Sequence, residues 1–373
     1  MTKIVQIANF FGPKSGGLKT SMIELAKQYS SRDINCLQII PGIYFTHTST
    51  SYADVITIPS WKIPFSGGYR MIIKTSKIKK ILSDFSPDVI EINDRLTLIG
   101  IAPWAKQRGI KTVLFAHEIL TNVLKAFFPF IPNLSALVAR HNRNTFRKFD
   151  YVIATTKFAG QEFKKVQANN LVIVPLGVDS EIFNENRVDL ELRTHTSFPK
   201  LVLCSRVSKE KNPEVAFKVL AELVEQGLNP RLFVMGAGPL KKKLMKKYKN
   251  LPIEFIGFIK NRSEVAKYLA SADVVLAPGP NETFCLAALE ALACGTPVIA
   301  SDKSALKEIL VNGGGAYVDD QIDNWVESVC VISTNPENRK RALENSRNYS
   351  WHKTASELIA LYQVTQLEKE LVA

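Results

Sequence analysis

The 373-residue sequence contains little of what disulfide or metal chemistry requires. Its five cysteines are an odd number without a Cys-x-x-Cys pair, which favours reduced structural thiols in a cytosolic protein. There is no Asp-x-Asp pair and no histidine cluster at metal-ligand spacing, and histidine occurs only five times. The sequence therefore predicts no bound metal and no cofactor.

Long hydrophobic runs are also missing. The longest charge-free stretch that merits testing as a membrane span, 126–139, has 14 residues and contains Pro129 and Pro132, so it cannot cross a bilayer. Lys3 followed by the apolar run Ile4–Ala8 is typical of a first strand rather than an export signal. We therefore expect a soluble, cytoplasmic protein.

Positive charge is in excess, with 48 Lys+Arg against 35 Asp+Glu and a net charge of +13. This balance predicts an anionic partner, which could be a nucleotide, a nucleic acid or an acidic membrane surface. A hydrophobic content of 46% and a charged content of 22% exclude a disordered or collagen-like chain.

Short apolar runs alternate with helical patterns in both halves of the chain, which is typical of parallel sheets covered by helices. In the first half the predicted strands are Ile4–Ala8, Cys36–Ile40, Val55–Ile58, Val89–Ile92, Thr112–Ala116 and Tyr151–Thr155, with helices at Leu18–Tyr29 and Thr75–Phe85. In the second half they are Lys200–Cys204, Arg231–Met235, Ile253–Ile256, Val274–Ala277 and Pro297–Ala300, with helices at Pro213–Gln226, Arg262–Ala270 and Leu286–Ala293. The sequence predicts an α/β protein of two doubly wound, Rossmann-like domains, 1–178 and 179–351, facing each other across a cleft that would hold the ligand.

A glycine-rich segment, Gly12–Thr20, follows the first strand and opens a helix. The adjacent glycines Gly16 and Gly17 would let backbone N–H groups approach a phosphate, and a helix N-terminus adds a positive end. The segment matches neither Gly-x-Gly-x-x-Gly nor the phosphate loop, so a flexible turn is an equal alternative.

A basic motif, Ser205–Asn212, follows the first strand of the second half. Arg206 and Lys211 leave a strand end together and could clamp a diphosphate, Arg as a fork and Lys as a point charge. The alternative is a solvated basic loop.

Glu290 is the only charge in the otherwise apolar helix 286–293, which Gly295 and Pro297 end. A buried carboxylate needs a partner, and vicinal ribose hydroxyls would satisfy both of its oxygens. Glu282 comes just before this helix, where exposed N–H groups also point at a ligand. The alternative for Glu290 is a structural buried ion pair.

These segments resemble the family 4 retaining glycosyltransferases with the GT-B fold. Glu282-Thr283-Phe284-Cys285…Glu290 is similar to the family's Glu-x7-Glu signature, and the Gly16-Gly17 loop, the histidine of Phe115-Ala116-His117-Glu118 and Arg206…Lys211 occur in the family's order. The segments Asp88–Arg95 and His117-Glu118 are most similar to actinobacterial GDP-mannose-dependent α-mannosyltransferases.

The resemblance implies roles for the matching positions. Glu290 would hold the ribose, Arg206 and Lys211 the diphosphate. Glu282 and the backbone of Thr283, Phe284, Cys285 and Leu286 would meet the donor sugar and phosphate. Gly16 and Gly17 would approach the phosphates or the acceptor, His117 would lie by the donor sugar, and Gly236, Phe258 and Ile259 would border the base. His117, Glu282, Arg206 and Lys211 are then the candidate catalytic residues, with Asp94, Arg95 and Glu118 on the acceptor side.

Three positions depart from the family pattern: Ser205 and Asn212 replace glycines of the basic motif, and Cys285 replaces the glycine after Phe284. The resemblance implies front-face transfer with retention, in which the leaving phosphate helps to deprotonate the acceptor. Cationic side chains can replace a metal in stabilising the leaving group, so we predict metal independence. The final helix, 352–373, would pack back against the first domain.

The region 126–148 predicts a helix with Leu134, Leu137 and Val138 on one side and with Arg140, Arg143 and Arg147 at helical spacing on another. This pattern suits peripheral contact with the anionic inner face of the cell membrane. If such contact occurs, the acceptor is expected to be a lipid or a lipid-linked glycan. The apolar side packing into the domain is an equal alternative. The lysine-rich segment 241–247 favours a solvated helix face.

The leading hypothesis is a glycosyltransferase that takes mannose from GDP-mannose, and the same enzyme class with a UDP-sugar is the alternative. A nicotinamide-dependent dehydrogenase or an epimerase is disfavoured because no dinucleotide fingerprint or Tyr-x3-Lys pair is present. A basic nucleic-acid-binding protein is the alternative from another class, but no nucleic-acid module is recognisable, so we expect no nucleic-acid partner.

Overall fold

The structure, a computed structural model, describes residues 2–12, 15–63, 68–127, 130–194, 197–311 and 313–370, without the side chains of 126, 127, 194 and 364–370. The chain divides into two compact units. The first comprises Met1–Leu176 with Trp351–Ala373, and the second comprises Gly177–Ser350. The division after Leu176 lies close to position 178, where the sequence predicted the end of the first domain.

The first unit is built on a largely parallel sheet. The strands of this sheet are β1 (Lys3–Ala8), β2 (Asn35–Gly42), β3 (Thr46–Ser49), β4 (Asp54–Pro59), β7 (Val89–Asn93), β8 (Lys111–Ala116), β9 (Tyr151–Ala154) and β10 (Leu171–Ile173). The short strands β5 (Trp61–Lys62) and β6 (Arg70–Met71) form a separate antiparallel pair. The helices of this unit in chain order are α1 (Gly17–Ser30), α2 (Ser76–Phe85), α3 (Ile101–Lys106), α4 (Leu120–Phe127), α5 (Leu134–Phe146) and α6 (Lys157–Lys164).

The strand order of this sheet is β10-β9-β8-β7-β1-β2-β4-β3, and only β3 pairs in the antiparallel direction. The strand β1 is covered on both faces because all of its residues from Ile4 to Ala8, which alternate between the two faces, are buried. Since β1 pairs with β2 on one side and β7 on the other, the order of the strands reverses between β1 and β7. Such a reversal opens a crevice at the carboxyl ends of the two strands, where ligands of doubly wound sheets bind.

The second unit repeats this plan on a smaller sheet. Its strands are β11 (Lys200–Cys204), β12 (Arg231–Met235), β13 (Ile253–Glu254), β14 (Val274–Ala277), β15 (Val298–Ser301) and β16 (Gly315–Val318). Its helices are α7 (Leu190–Thr194), α8 (Glu214–Glu225), α9 (Lys241–Lys247), α10 (Arg262–Ser271), α11 (Leu286–Ala293), α12 (Leu306–Ile309), α13 (Ile322–Thr334) and α14 (Glu337–Ser346), with 3₁₀ turns at Glu185–Arg187 and Lys209–Lys211.

The six-stranded sheet of the second unit is parallel, with the order β13-β12-β11-β14-β15-β16. Its order reverses between β11 and β14, so the carboxyl ends of these two strands mark the expected ligand crevice of this unit. The predicted α/β class, with two Rossmann-like doubly wound sheets, is confirmed.

The last helix, α15 (Trp351–Glu370), is part of the first unit. Its Tyr362 hydroxyl donates to the buried carboxylate of Glu91 at 2.6 Å, and the hydroxyl of Tyr29 in α1 donates to the same oxygen at 2.5 Å. The Gln6 side chain donates to the other oxygen of Glu91 at 2.9 Å. Burial raises the pKa of Glu91, while the three hydrogen bonds oppose that rise. A completely buried polar network therefore fastens the end of the chain to β1 and β7.

No helix in the described part of the chain is long and apolar enough to span a membrane. In α5 the predicted apolar side is only partly buried, because Leu134 and Val138 pack against Leu120 whereas Leu137 is 56% exposed. The alternative that the apolar side packs into the domain therefore holds for Leu134 and Val138 but not for Leu137. Its exposure adds an apolar residue to the surface that carries Arg140.

Candidate active site

The second unit contains a pocket at the point where its strand order reverses. The wall is formed by Cys204 and Ser205 at the end of β11, by Ala277–Gly279 at the end of β14, and by Ala287 and Ala288 in the first turn of α11. Lys211, Glu282 and Cys285 complete the lining. The structure thus brings three of the predicted donor-side residues together at the carboxyl edge of the sheet.

The polar centre of this pocket is an ion pair between Lys211 and Glu282. The Lys211 ammonium donates to Glu282 Oε1 at 2.6 Å, and both side chains are largely buried. Burial disfavours the charged ammonium, but the Glu282 carboxylate outweighs this effect and holds the pKa of Lys211 above its usual value. Lys211 is therefore a largely buried positive charge that shares a pocket with the first turn of α11, an arrangement that suits a phosphate.

Arg206 lies on the same loop but is more open. Its side chain is 51% exposed and pairs with Glu210 at 3.5 Å. The loop turns at Asn212, whose φ of 46° lies in the left-handed region. Asparagine tolerates this conformation better than most residues, which explains how the chain replaces the family's glycine at this position.

Gly236 and Gly238 have a packing role that the sequence did not reveal. A Cβ atom on Gly236 would collide with the carbonyl oxygen of Ser205, and one on Gly238 would collide with that of Val207. The glycines therefore let the loop after β12 lie against the basic loop, where the N–H of Val207 donates to Ala237 O at 3.1 Å. Phe258 and Ile259, predicted to border the base, follow β13, and Phe258 is 43% exposed.

The entry into α11 is strained at Cys285. This residue caps the helix with φ 68° and ψ 76°, a left-handed conformation that a glycine adopts without cost. The adjacent Phe284 is buried with its ring against Tyr349 at a centroid distance of 6.0 Å, so Thr283–Leu286 cannot relax easily. Burial raises the pKa of the Cys285 thiol, which is therefore neutral.

Glu290 has a partner that the sequence did not identify. Arg262, the first residue of α10, donates from Nη2 to Glu290 Oε1 at 2.8 Å, and the Glu290 side chain is only 6% exposed. The buried ion pair left open by the sequence is thus present, and it does not exclude a ribose because a carboxylate accepts about four hydrogen bonds. Burial, followed by the nearby charge of Glu290, raises the pKa of the Cys204 thiol to about 12.

In the first unit, His117 lies just beyond the carboxyl end of β8. Its Nε2 and Asn93 Oδ1, at the end of β7, are 2.6 Å apart, and its ring stacks on Phe115 at 5.8 Å. Burial, helped by the positive charge of Arg95, lowers the pKa of His117 to about 4. At neutral pH the imidazole is uncharged, so it can orient a hydroxyl but cannot serve as a cation.

The predicted acceptor-side residues Asp94 and Arg95 are buried and bonded within the unit. Asp94 Oδ1 accepts the backbone N–H groups of residues 96–98. Arg95 Nη2 donates to the carbonyl of Glu118 and, at 3.1 Å, to Glu162 Oε2. The Glu118 side chain itself is exposed.

Glu162 in α6 is a residue that the sequence analysis missed. Its carboxylate accepts the N–H groups of Leu120 at 2.9 Å and Thr121 at 2.8 Å, which begin α4, in addition to the bond from Arg95. The Arg95 guanidinium and these hydrogen bonds outweigh burial and lower the pKa of Glu162. Glu162 therefore positions both the loop that follows His117 and the start of α4. No sequence signal identifies it, because it lies 42 residues from Leu120.

The glycine-rich segment places Gly16 as the residue before α1, at the carboxyl end of β1. Gly16 and Gly17 are exposed, and a Cβ atom on Gly16 would meet no atom within 4 Å among the residues that the structure describes.

Two doubly wound sheets, each with polar side chains at its reversal point, define the chain as a Rossmann-like α/β protein with a ligand pocket in its second unit.

Comparison with known proteins gives the family. Residues 15–182 match the family described as Glycosyltransferase Family 4, and residues 189–349 match that described as Glycosyl transferases group 1. A GDP-mannose-dependent alpha-(1-6)-phosphatidylinositol dimannoside mannosyltransferase of Mycobacterium tuberculosis is 38% identical, with 96% of this chain and 95% of the relative aligned. The chain therefore belongs to the family 4 glycosyltransferases, and it is an enzyme of the hexosyltransferase class.

More distant relatives share the same architecture. Alpha-monoglucosyldiacylglycerol synthase of Acholeplasma laidlawii is 24% identical, with 87% of this chain and 86% of the relative aligned. Among solved structures, sucrose-phosphate synthase of Thermosynechococcus elongatus superposes with a TM-score of 0.81 at 17% identity, covering 99% of this chain and 100% of that structure. The Anabaena protein HepE, solved with UDP and glucose, superposes with a TM-score of 0.75 at 16% identity, covering 97% and 100%. These likenesses confirm the GT-B glycosyltransferase fold.

Proposed function

We propose that the protein transfers mannose from GDP-mannose to a lipid-linked acceptor, with retention of the sugar's configuration. The observation that carries the proposal is the Lys211–Glu282 pair in the pocket of the second unit. It occurs in a chain that is 38% identical, nearly end to end, to a GDP-mannose-dependent phosphatidylinositol dimannoside mannosyltransferase.

The proposed donor-side roles are those that the family resemblance implies, and the presence of Lys211, Glu282 and Cys285 in one pocket supports them. Lys211 and the more exposed Arg206 hold the diphosphate, and the N-terminus of α11 faces the same charge through the backbone of Thr283–Leu286. Glu282 accepts hydroxyls of the donor sugar, and Glu290 accepts hydroxyls of the ribose. Gly236, Phe258 and Ile259 border the base.

In the reaction the bond between the sugar C1 and the diphosphate oxygen breaks, and a bond from C1 to the acceptor oxygen forms on the same face. The acceptor proton passes to an oxygen of the departing diphosphate. Lys211 and Arg206 stabilise the negative charge that develops there, and removing one such contact costs on the order of 10²–10³ in rate. These two cations supply the charge that a divalent metal supplies in other enzymes, so the transfer is proposed to be metal-independent.

The first unit supplies the acceptor side in this proposal. Neutral His117 orients a sugar hydroxyl, and the exposed Glu118 carboxylate and the backbone at Gly16 and Gly17 meet the acceptor or the phosphates. Asp94 and Arg95 shape this edge through their internal hydrogen bonds rather than by direct exposure.

Peripheral contact with an anionic membrane on the cytoplasmic side would bring the enzyme to a lipid acceptor. Phe130 is 94% exposed and Ile131 is exposed beside it, just before α5. The exposed Arg140, Arg143 and Arg147 follow along α5. Apolar residues beside a row of arginines suit the boundary between lipid headgroups and acyl chains. The side chains of 126–129 lie outside the described residues.

Nucleotide binding tests the donor. Thermal unfolding is measured with GDP, UDP, ADP, NAD and a short RNA, each with and without Mg²⁺. A ligand at about 100 times its Kd adds about 2.7 kcal/mol of stability, which is a shift of several degrees. Stabilisation by GDP that Mg²⁺ does not alter supports the proposal. If UDP alone stabilises the protein, the donor is a UDP-sugar and not GDP-mannose. If only NAD or RNA stabilises it, the proposed chemistry is contradicted.

Transfer of radiolabelled mannose from GDP-mannose to phosphatidylinositol dimannoside, with EDTA present, tests the reaction itself. Sedimentation with vesicles of phosphatidylglycerol and phosphatidylcholine tests the membrane contact. We expect Arg140→Gln/Arg143→Gln/Arg147→Gln to lose vesicle binding, and Lys242→Gln/Lys243→Gln/Lys246→Gln on the exposed face of α9 to keep it. Equal loss in both would show that net charge alone, rather than α5, attracts the membrane.

A further inference from the structure

We infer that Arg262 is a positioning residue of the donor site, which orients the Glu290 carboxylate for the ribose hydroxyls. The inference rests on the proposed function of Glu290. Arg262 lies outside every segment that the sequence analysis assigned to the site. It enters only through the structure, where its Nη2 and Glu290 Oε1 are 2.8 Å apart.

The Arg262 side chain is held from two sides. Its guanidinium carbon lies 4.7 Å from the centre of the Phe183 ring, and Phe183 is completely buried. Asn261 caps α10 by accepting the N–H of Ser263 at 3.0 Å, which fixes the turn from which Arg262 projects. A guanidinium stacked on a buried ring and hydrogen-bonded at its edge has few alternative orientations.

The two partners differ in exposure, and this difference suggests their roles. The Glu290 side chain is 6% exposed, whereas that of Arg262 is 37% exposed. The carboxylate is the group that needs compensation, because an unpaired charge at that depth is costly. Arg262 compensates the charge of the Glu290 carboxylate and fixes the direction of its oxygens, and a carboxylate can accept further hydroxyl donors while the ion pair persists.

A mere surface ion pair would be replaceable without effect on nucleotide binding, since exposed pairs contribute little. The second unit offers a matched control. Arg231 pairs with Glu254 at 2.7 Å, and its guanidinium lies 5.4 Å from the Phe233 ring, so it has the same kinds of contact away from the pocket. Arg231→Gln therefore measures what the loss of such a pair does to stability alone.

The experiment is isothermal titration of the full chain with GDP and with 2′,3′-dideoxy-GDP, which lacks both ribose hydroxyls. The variants are Arg262→Gln, Glu290→Gln, their combination, and Arg231→Gln. We expect Arg262→Gln and Glu290→Gln each to weaken GDP binding about tenfold, as loss of a charge-assisted hydrogen bond does. The double variant should bind GDP with about the same affinity as the single variant that binds it less tightly, because both substitutions act through one carboxylate. Binding of dideoxy-GDP should change by less than about twofold in Arg262→Gln.

Other results would contradict either the proposed ribose contact of Glu290 or the inferred role of Arg262, and the variants separate the two. If Glu290→Gln leaves GDP binding unchanged, the proposed ribose contact fails and the inference fails with it. If Glu290→Gln weakens binding but Arg262→Gln does not, only the inference fails. If Arg262→Gln weakens dideoxy-GDP as much as GDP, Arg262 does not act through the ribose. Arg262→Lys keeps the charge, and its recovery of part of the GDP affinity, with an unchanged Tm, covers the case in which Arg262→Gln folds poorly.

Discussion

The Lys211 ammonium lies 2.6 Å from a carboxylate oxygen of Glu282, so this cation of the second unit's pocket is already paired with an anion from the same unit. A diphosphate that binds Lys211 therefore also meets the negative charge of Glu282. The Glu282 charge should therefore make diphosphate binding weaker than it would be with Lys211 alone. The pair also places the Glu282 carboxylate close to a sugar attached to a diphosphate at Lys211.

Glu282→Gln is expected to bind GDP about tenfold more tightly, because a like charge beside the diphosphate is removed. Transfer from GDP-mannose should nevertheless fall on the order of 10²-fold, since the amide is a poorer acceptor for the sugar hydroxyls. Titration calorimetry and initial rates measure the two effects, with Glu254→Gln as the control. Weaker binding of GDP by Glu282→Gln would contradict this account.

Cys285→Gly is expected to stabilise the protein by about 1 kcal/mol, because the left-handed backbone at this position is costly for every residue with a Cβ atom. Cys285→Ala removes the same thiol but keeps the Cβ atom, so it should show no such gain. Urea unfolding compares the two variants. An equal stability of both would show that the conformation at Cys285 carries no strain.

His117 is expected to make stability pH-dependent between pH 6.5 and about 4. Its pKa is lowered from 6.5 to about 4 in the folded protein, so the unfolded chain binds the extra proton within this window. The contribution of His117 is thus fully present above pH 6.5 and is lost as the pH falls. Tm measured against pH should be flatter in His117→Gln than in the wild type, and identical slopes would refute the buried, neutral imidazole.

Tyr362→Phe is expected to destabilise the first unit by about 1–3 kcal/mol, because Glu91 then loses one of its donors inside the sheet. Tyr349→Phe is the control, since the Tyr349 hydroxyl lies 3.5 Å from its acceptor, and it should change stability by less than about 0.5 kcal/mol. Urea unfolding followed by tyrosine and tryptophan fluorescence measures both. Equal effects would mean that the Glu91 network adds nothing to the docking of α15.

Most of the helices and strands could be predicted because their buried residues recur at helical or strand spacing in the local sequence. Leu286–Ala293, Lys200–Cys204 and Arg231–Met235 have the predicted bounds, and Gly17–Ser30 differs from its prediction by one residue at each end. The strand Thr46–Ser49 was missed because all four of its residues are exposed, so no apolar alternation marks it. Gly315–Val318 was missed because it is an edge strand with Tyr317 exposed.

The site could be predicted only as far as its residues lie close together in sequence. Lys211 and Glu282 were found separately, each from a local motif, and the reversal of strand order brings them into one pocket. The partners of Glu290 and Arg95 could not be found, because Arg262 and Glu162 lie in ordinary amphipathic helices. Long-range ion pairs leave no periodic pattern in the sequence. A charged residue on an amphipathic helix looks the same whether it faces solvent or pairs with a distant residue.

The helix α15 gives the first unit an element that is translated after the whole of the second unit. During synthesis, Glu91 and Tyr29 leave the ribosome long before Tyr362, so the amino-terminal sheet must wait with a buried carboxylate still lacking one donor. The second unit, Gly177–Ser350, is continuous in the chain, so it is synthesised completely before the first unit receives its last helix. The Glu91 network can therefore close only after both units have been synthesised, and a nascent chain arrested before Tyr362 should be more sensitive to proteases in its amino-terminal half than the finished chain.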